Sequence, residues 1–126
     1  MRVDTALSPS RNVDQREAAR AAEQAQFDCL WVGEVAHDPF LMLTLAATVT
    51  ERIELGTSIA LAFARNPMSL AGTANDLQAI TGGRLLLGLG SQVKAHITRR
   101  FDMPWSQPAK RMGEFVLAMR AVGLLG

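Results

Sequence analysis

Short apolar runs and longer helical stretches alternate along the chain. The run from Ile53 to Ile59 (I-E-L-G-T-S-I) gives way to a break at Ala64, Arg65 and Asn66, then to a helical pattern of about four turns, a Gly82-Gly83 stop, and a second apolar run closing on Gly88 and Gly90. This order predicts one strand, helix, strand unit. Asn66 can cap the helix through its side-chain oxygen, with Pro67 at the first helical position, where its missing N–H is no loss. Gly82 and Gly83 allow the positive φ that ends a helix. Strands this apolar, joined through a helix, belong in a parallel sheet covered on both faces, with a right-handed crossover.

The same grammar appears one unit earlier. Cys29 to Val32 is a short apolar run, and Asp38-Pro39 is a second cap-then-proline helix start, with the helix reaching Thr50. Arg52…Gly56 and Arg84…Gly88 repeat arginine and glycine at identical offsets, the spacing of βα modules. Arg2 to Leu7 alternates as a first strand, and Ser8-Pro9-Ser10 ends it. Asn12 with Gln15 forms a capping box for an alanine-rich helix to Ala25, with Asp14 and Glu17 near its positive end. After the fourth strand, Gln92 to Gln107 is too long for an ordinary βα turn. A short helix is expected around Val93 to Phe101, covering part of a site. A last helix opens near Ser106-Gln107-Pro108 and sets Met112, Phe115, Val116, Met119 and Val122 on one face, for packing against the sheet.

Four βα units in series are half of an eightfold barrel of about 250 residues. The expected fold is therefore α/β, half of a (β/α)8 TIM barrel spanning residues 1–126. Such a sheet leaves two edges and an inner face to be covered by a second half, by a second copy of the chain, or by opening into a doubly wound arrangement.

Composition narrows the function. A net charge of +1 with interspersed acids and bases gives no nucleic-acid footprint and no membrane-surface patch. No apolar stretch approaches the roughly 20 residues of a bilayer span, and the amino terminus does not read as a signal peptide. One cysteine, Cys29, excludes an internal disulfide framework and fits a cytoplasmic protein; within a strand it reads as a small buried hydrophobe. The expected partners are a small-molecule substrate and further copies of the chain, met through the exposed barrel face or edge strands.

Candidate chemistry lies after the strands. The segments Gly33–Asp38 and Ala60–Arg65 follow carboxyl ends of strands two and three, where parallel sheets hold ligands. Glu34 reads as a partly desolvated acid or base, or as a loop carboxylate paired with an arginine. His37 reads as a proton donor near neutral pH, or as a prop for the turn before Asp38. Asp38 and Asn66 are helix caps. Gly88 and Gly90 permit close approach of backbone to a ring or phosphate, although Gly-Leu-Gly-Ser lacks the third glycine of a dinucleotide fingerprint and the lysine of a P-loop. Lys94, Arg99 and Arg100 are solvated loop charges or contacts for an anionic ligand. His37 and His96 have no metal-ligand spacing.

Taken together, F-D-C-L-W-V-G-E-V-A-H-D-P-F, R-I-E-L-G-T-S-I-A, R-N-P, G-G-R-L-L-L-G-L-G-S and R-R-F-D-M-P-W resemble the N-terminal half of the luciferase-like monooxygenase superfamily, nearest its F420-dependent oxidoreductases. The resemblance implies a barrel holding a reduced deazaflavin across the carboxyl ends of its strands, with hydride passing to a small organic acceptor. It implies a cis peptide between Ser58 and Ile59 behind the ring. Ser58, Ile59, Ala60, Gly90 and Ser91 would line the ring, and Glu34 or His37 would give the proton. The alternatives are FMN with molecular oxygen, a non-catalytic self-associating half-barrel, and a self-sufficient open α/β binding domain. Two departures stand out: Glu34-Val35 occupies the place where many F420-dependent relatives carry Asp-His, and Ser91–Lys94 has no carboxylate.

Overall fold

The computed structural model describes residues 1–8 and 14–122, the side chain of Val122 excepted. Its elements are β1 (Asp4–Ala6), α1 (Gln15–Gln24), β2 (Cys29–Val32), α2 (Pro39–Ala47), β3 (Glu54–Thr57), β4 (Ala60–Leu61), a 3-10 turn (Ala62–Ala64), α3 (Pro67–Ile80), β5 (Leu85–Leu86), β6 (Leu89–Gly90), a π-helical turn (His96–Arg100) and α4 (Pro108–Val122). They form two compact units, Met1–Ala60 with Leu77–Gly88, and Leu61–Asp76 with Leu89–Gly126.

The first unit holds a four-stranded sheet of order β1-β2-β3-β5, parallel at every step. Register places Leu30 beside Leu55 and Leu55 beside Leu85. These leucines are buried on the face against which α2 packs. Alternation puts Asp4, Cys29, Trp31, Glu54 and Gly56 on the opposite face. There Arg2 bridges two strands, its Nη1 2.7 Å from Glu54 and its Nε 3.2 Å from Asp4. The Trp31 indole N–H donates to Asp4 Oδ2 at 3.0 Å. Cys29 is fully buried, as expected; burial and then the Asp4 and Glu54 carboxylates push its thiol up to about 11, so it stays protonated at neutral pH.

Helix starts follow local chemistry. Asp38 Oδ1 accepts from Phe40 N at 2.8 Å and Asn66 Oδ1 from Met68 N at 2.8 Å, each just ahead of a helix-opening proline. The cap of α1 is Asp14, whose Oδ1 accepts from Arg16 N at 3.0 Å and Glu17 N at 3.3 Å. Asn12, the expected cap, lies outside the described residues, and Gln15 is the first helical residue rather than part of a capping box. Helix α2 stops at Ala47, short of Thr50, as the Thr48 and Thr50 hydroxyls donate to the Leu45 and Ala46 carbonyls at 2.7 and 2.8 Å. Gly82 and Gly83, at φ +66° and +91°, end α3 as expected, and Gly83 N donates to Gln78 O at 2.8 Å.

Both later strands are shorter than their apolar runs. The run from Ile53 to Ile59 pairs only over Glu54–Thr57, and the run after Arg84 is interrupted at Leu87–Gly88. The cause is a side-chain clasp between the two.

At the amino end of the sheet, charged groups bind main chain. The Glu23 carboxylate accepts from the N–H groups of Glu51, Arg52 and Ile53 at 3.0, 2.8 and 2.9 Å. Burial pushes this carboxyl upward, but the three N–H bonds with the nearby Arg84 charge outweigh it, and the net shift is downward. Arg84 donates to Thr81 O, Ile53 O, Thr50 O and Thr50 Oγ1 at 2.7 to 3.0 Å.

In the second unit, Leu61 and β6 take part in a two-stranded sheet. Phe63 is buried, with Trp105 edge-on at 5.8 Å and the Arg111 guanidinium 4.3 Å over its ring. The expected helix over Val93–Phe101 is present as Lys94 and Ala95 widening into the π-helical turn, with Ile97 as its buried side chain. On α4, Phe115 and Met119 are buried, Met112 and Val116 are half-buried, and Val122 is not described. Among the described residues no helix is long and apolar enough to cross a membrane, and no group of His, Cys, Asp or Glu could hold a metal ion.

Candidate functional site

In a parallel sheet all carboxyl ends face one way, so the exits of β2, β3 and β5 form one rim of the first unit. The turn leaving β3 is fastened to both neighbours. Toward β2, Ser58 N donates to Val32 O at 2.9 Å and Glu34 N donates to Ile59 O at 3.2 Å. Toward β5, Ala60 N donates to Gly88 O at 2.9 Å. The buried Thr57 hydroxyl completes the attachment, donating to Gly88 O at 2.7 Å and accepting from Gly88 N at 2.9 Å. A hydroxyl that both donates and accepts replaces two ladder bonds, and for this reason strands β3 and β5 stop here.

Two glycines permit this approach. A Cβ on Gly33 would lie 3.0 Å from Ser58 O, and one on Gly88 would collide with Thr57 O. The peptide between Ser58 and Ile59 is cis, as the resemblance implies. Gly56, one alternation below Ser58, lies under the Trp31 ring; a Cβ there would sit 2.5 Å from Cζ3.

The structure brings Glu34, Ser58, Ile59 and Ala60 together on this rim. Ser58 is exposed, Ile59 and Glu34 are half-buried, and Ala60 is buried, so Ala60 offers only main chain. His37 is exposed in the turn before α2, next to the capping Asp38. Gly90 and Ser91 belong to the second unit, where both are half-buried and Ser91 Oγ donates to Gln92 O at 3.3 Å. Lys94, His96, Arg99 and Arg100 are exposed there, and Arg100 lies over Phe101 at 5.2 Å.

The luciferase-like monooxygenase family model matches residues 2–123. The chain belongs to that family. It is 54% identical over 116 residues to an uncharacterised protein of Mycobacterium tuberculosis, covering 92% of this chain and 34% of that one. It is 34% identical over 104 residues to the 5,10-methylenetetrahydromethanopterin reductase of Methanolobus tindarius, covering 81% of this chain and 32% of the reductase. Among solved structures, the coenzyme F420-dependent tetrahydromethanopterin reductase of Methanopyrus kandleri matches at TM-score 0.76 and 25% identity, over 91% of this chain and 38% of that one. The chain thus spans about a third of the length of the curated relatives it matches. The expected fold, βα units of a luciferase-like TIM barrel, is the one found.

Within this luciferase-like monooxygenase chain, sequence reasoning missed Thr57, Gly33 and the Trp31–Gly56 pair. It read Gly88 as room for a ring or phosphate, whereas the group that approaches Gly88 is the Thr57 carbonyl of the adjacent strand. The available signal was a threonine ending one apolar run and a glycine breaking the next.

Proposed function

We propose that the rim formed by Gly33, Glu34 and Thr57 to Ala60 is a wall of a redox site, against which the ring of a reduced deazaflavin, coenzyme F420, rests while hydride passes to a small organic acceptor. The observation that carries this reading is the turn at Ser58–Ile59, bonded on both sides and bordered by glycines, so that a strip of main chain is held in place, with no Cβ at Gly33 or Gly88 to crowd it. The residues fit such a group: a planar ring needs an apolar backing with few polar atoms, and the half-buried Ile59 beside Gly33 offers it. The coenzyme F420-dependent reductase among the solved structures supports a deazaflavin, with FMN as the alternative.

In this reading the bound cofactor supplies the hydride, and the protein supplies position and a proton. Main chain at Ser58 and Ile59 backs the ring. Glu34, whose own N–H is tied to Ile59 O, is the carboxylate-bearing residue of this rim and gives or takes the proton at the acceptor. His37, exposed and three residues further on, is the second candidate. The chain contributes one wall, so turnover requires the rest of the barrel.

Anaerobic titration of the chain with reduced F420 and with reduced FMN tests this. Saturable binding of F420, tighter than that of FMN, is expected. Tighter binding of FMN would turn the reading toward oxygen-dependent monooxygenation, and binding of neither would contradict it.

A further inference from the structure

Trp31 stands apart from the other half-buried side chains of the first unit. The register sets it beside Gly56, on the sheet face opposite the buried leucines and one alternation, about 7 Å, below the Gly33–Ser58 contact. Two features hold the indole down. Gly56 has no side chain, and the ring lies against its α carbon, with room for no Cβ. The N–H is bonded to Asp4 Oδ2 at 3.0 Å, and Arg2 holds Asp4 in turn while reaching Glu54 at 2.7 Å. An indole clamped at its edge and resting on the Gly56 backbone is held in one place, and Trp31 is half-buried there. It is a flat aromatic surface fixed one alternation beneath the rim.

We infer that Trp31 is a positioning residue: its indole is the floor on which the cofactor ring settles, setting how deep the ring sits between the Ser58–Ile59 turn and the sheet. The inference rests on the proposed redox site and adds a specific contact to it. Offset stacking of two aromatic surfaces is worth about threefold to tenfold in affinity. It also makes the ring's own fluorescence a local reporter, because a ring in contact with an indole loses its emission by electron transfer from the indole. The chain has no tyrosine and two tryptophans, so Trp31 and Trp105 are the only side chains of this strength as donors.

The test titrates the chain with oxidised F420 and oxidised FMN, following the ring's emission, and repeats both titrations with Trp31→Phe and Trp105→Phe. Expected is a quenched bound ring in the native chain and in Trp105→Phe, with emission restored and affinity about threefold to tenfold lower in Trp31→Phe. Binding by Trp31→Phe with unchanged quenching would overturn the inference and leave the redox site standing. Binding of neither ring to the native chain would overturn both. Should Trp31→Phe lose its fold by circular dichroism, the native chain decides the matter by NMR: cross-peaks between ring protons and the Trp31 indole support the floor, and their absence at saturation overturns it.

Discussion

The two ends of the sheet in the first unit are held together by different means. At the amino end, long charged side chains close onto main chain: Glu23 takes three N–H groups, and Arg84 gives its protons to the Thr50 and Ile53 carbonyls of the α2–β3 connection and to Thr50 Oγ1 and Thr81 O. At the carboxyl end the attachment is main chain to main chain, helped by one small hydroxyl and permitted by glycines. The first arrangement fills space with side chains; the second leaves it bare. A surface meant to receive a ligand needs rigid backbone without side chains in the way, whereas a surface meant only to be stable has no such need.

The comparison can be broken at either end. The largest effect is expected at Gly88→Ala, since the new Cβ meets the Thr57 carbonyl and not the yielding tip of a side chain. A loss of about 3 kcal/mol in denaturant melts, together with loss of ring binding, is predicted; a change under about 0.5 kcal/mol would show that the clasp tolerates spreading. Arg84→Met should cost about 2 kcal/mol, by leaving part-buried carbonyls without their donor, while ring affinity in the folded variant stays unchanged. An equal loss of affinity in both variants would erase the distinction between the ends.

The smallest effect is a pH dependence. Glu23 is held below its ordinary value of 4.5 in the folded chain, so its contribution is complete above that value and disappears as the pH falls through the lower, folded value. Melts of Glu23→Gln should lie below those of the native chain at neutral pH and converge with them in strong acid. Parallel curves across that range would show that the three N–H bonds do not depend on the charge.

Much of this was legible in the sequence. The order of βα units, the Asp38-Pro39 and Asn66-Pro67 helix starts and the Gly82-Gly83 stop are local signals, each decided within a few residues, and each is found. The start of α1 was misread because Asn12 was taken as its cap and Asp14 only as a charge near the positive end, whereas Asp14 is the cap. The strand ends were misread for a different reason. Ile53 to Ile59 is apolar throughout, and nothing within that run shows that Thr57 reaches across 31 positions to Gly88. The same holds for Glu23 with residues 51–53 and for Trp31 with Asp4 and Gly56: the sequence supplies the residue types, and the parallel register makes them neighbours. Glu34, Ser58 and Ile59 could be named from pattern and resemblance, while the glycines and hydroxyl that fasten them could be seen only once the strands were paired.

The central claim is that the bare carboxyl end of this sheet, and not its charged amino end, receives the ring. Hydrogen–deuterium exchange of the chain with and without saturating F420 tests it most directly. The account predicts slower exchange at the amides of Glu34, Ser58, Ala60 and Gly88, with those of Glu51, Arg52 and Ile53 unchanged. Protection confined to residues 51–53, with the rim amides unaltered, would contradict it.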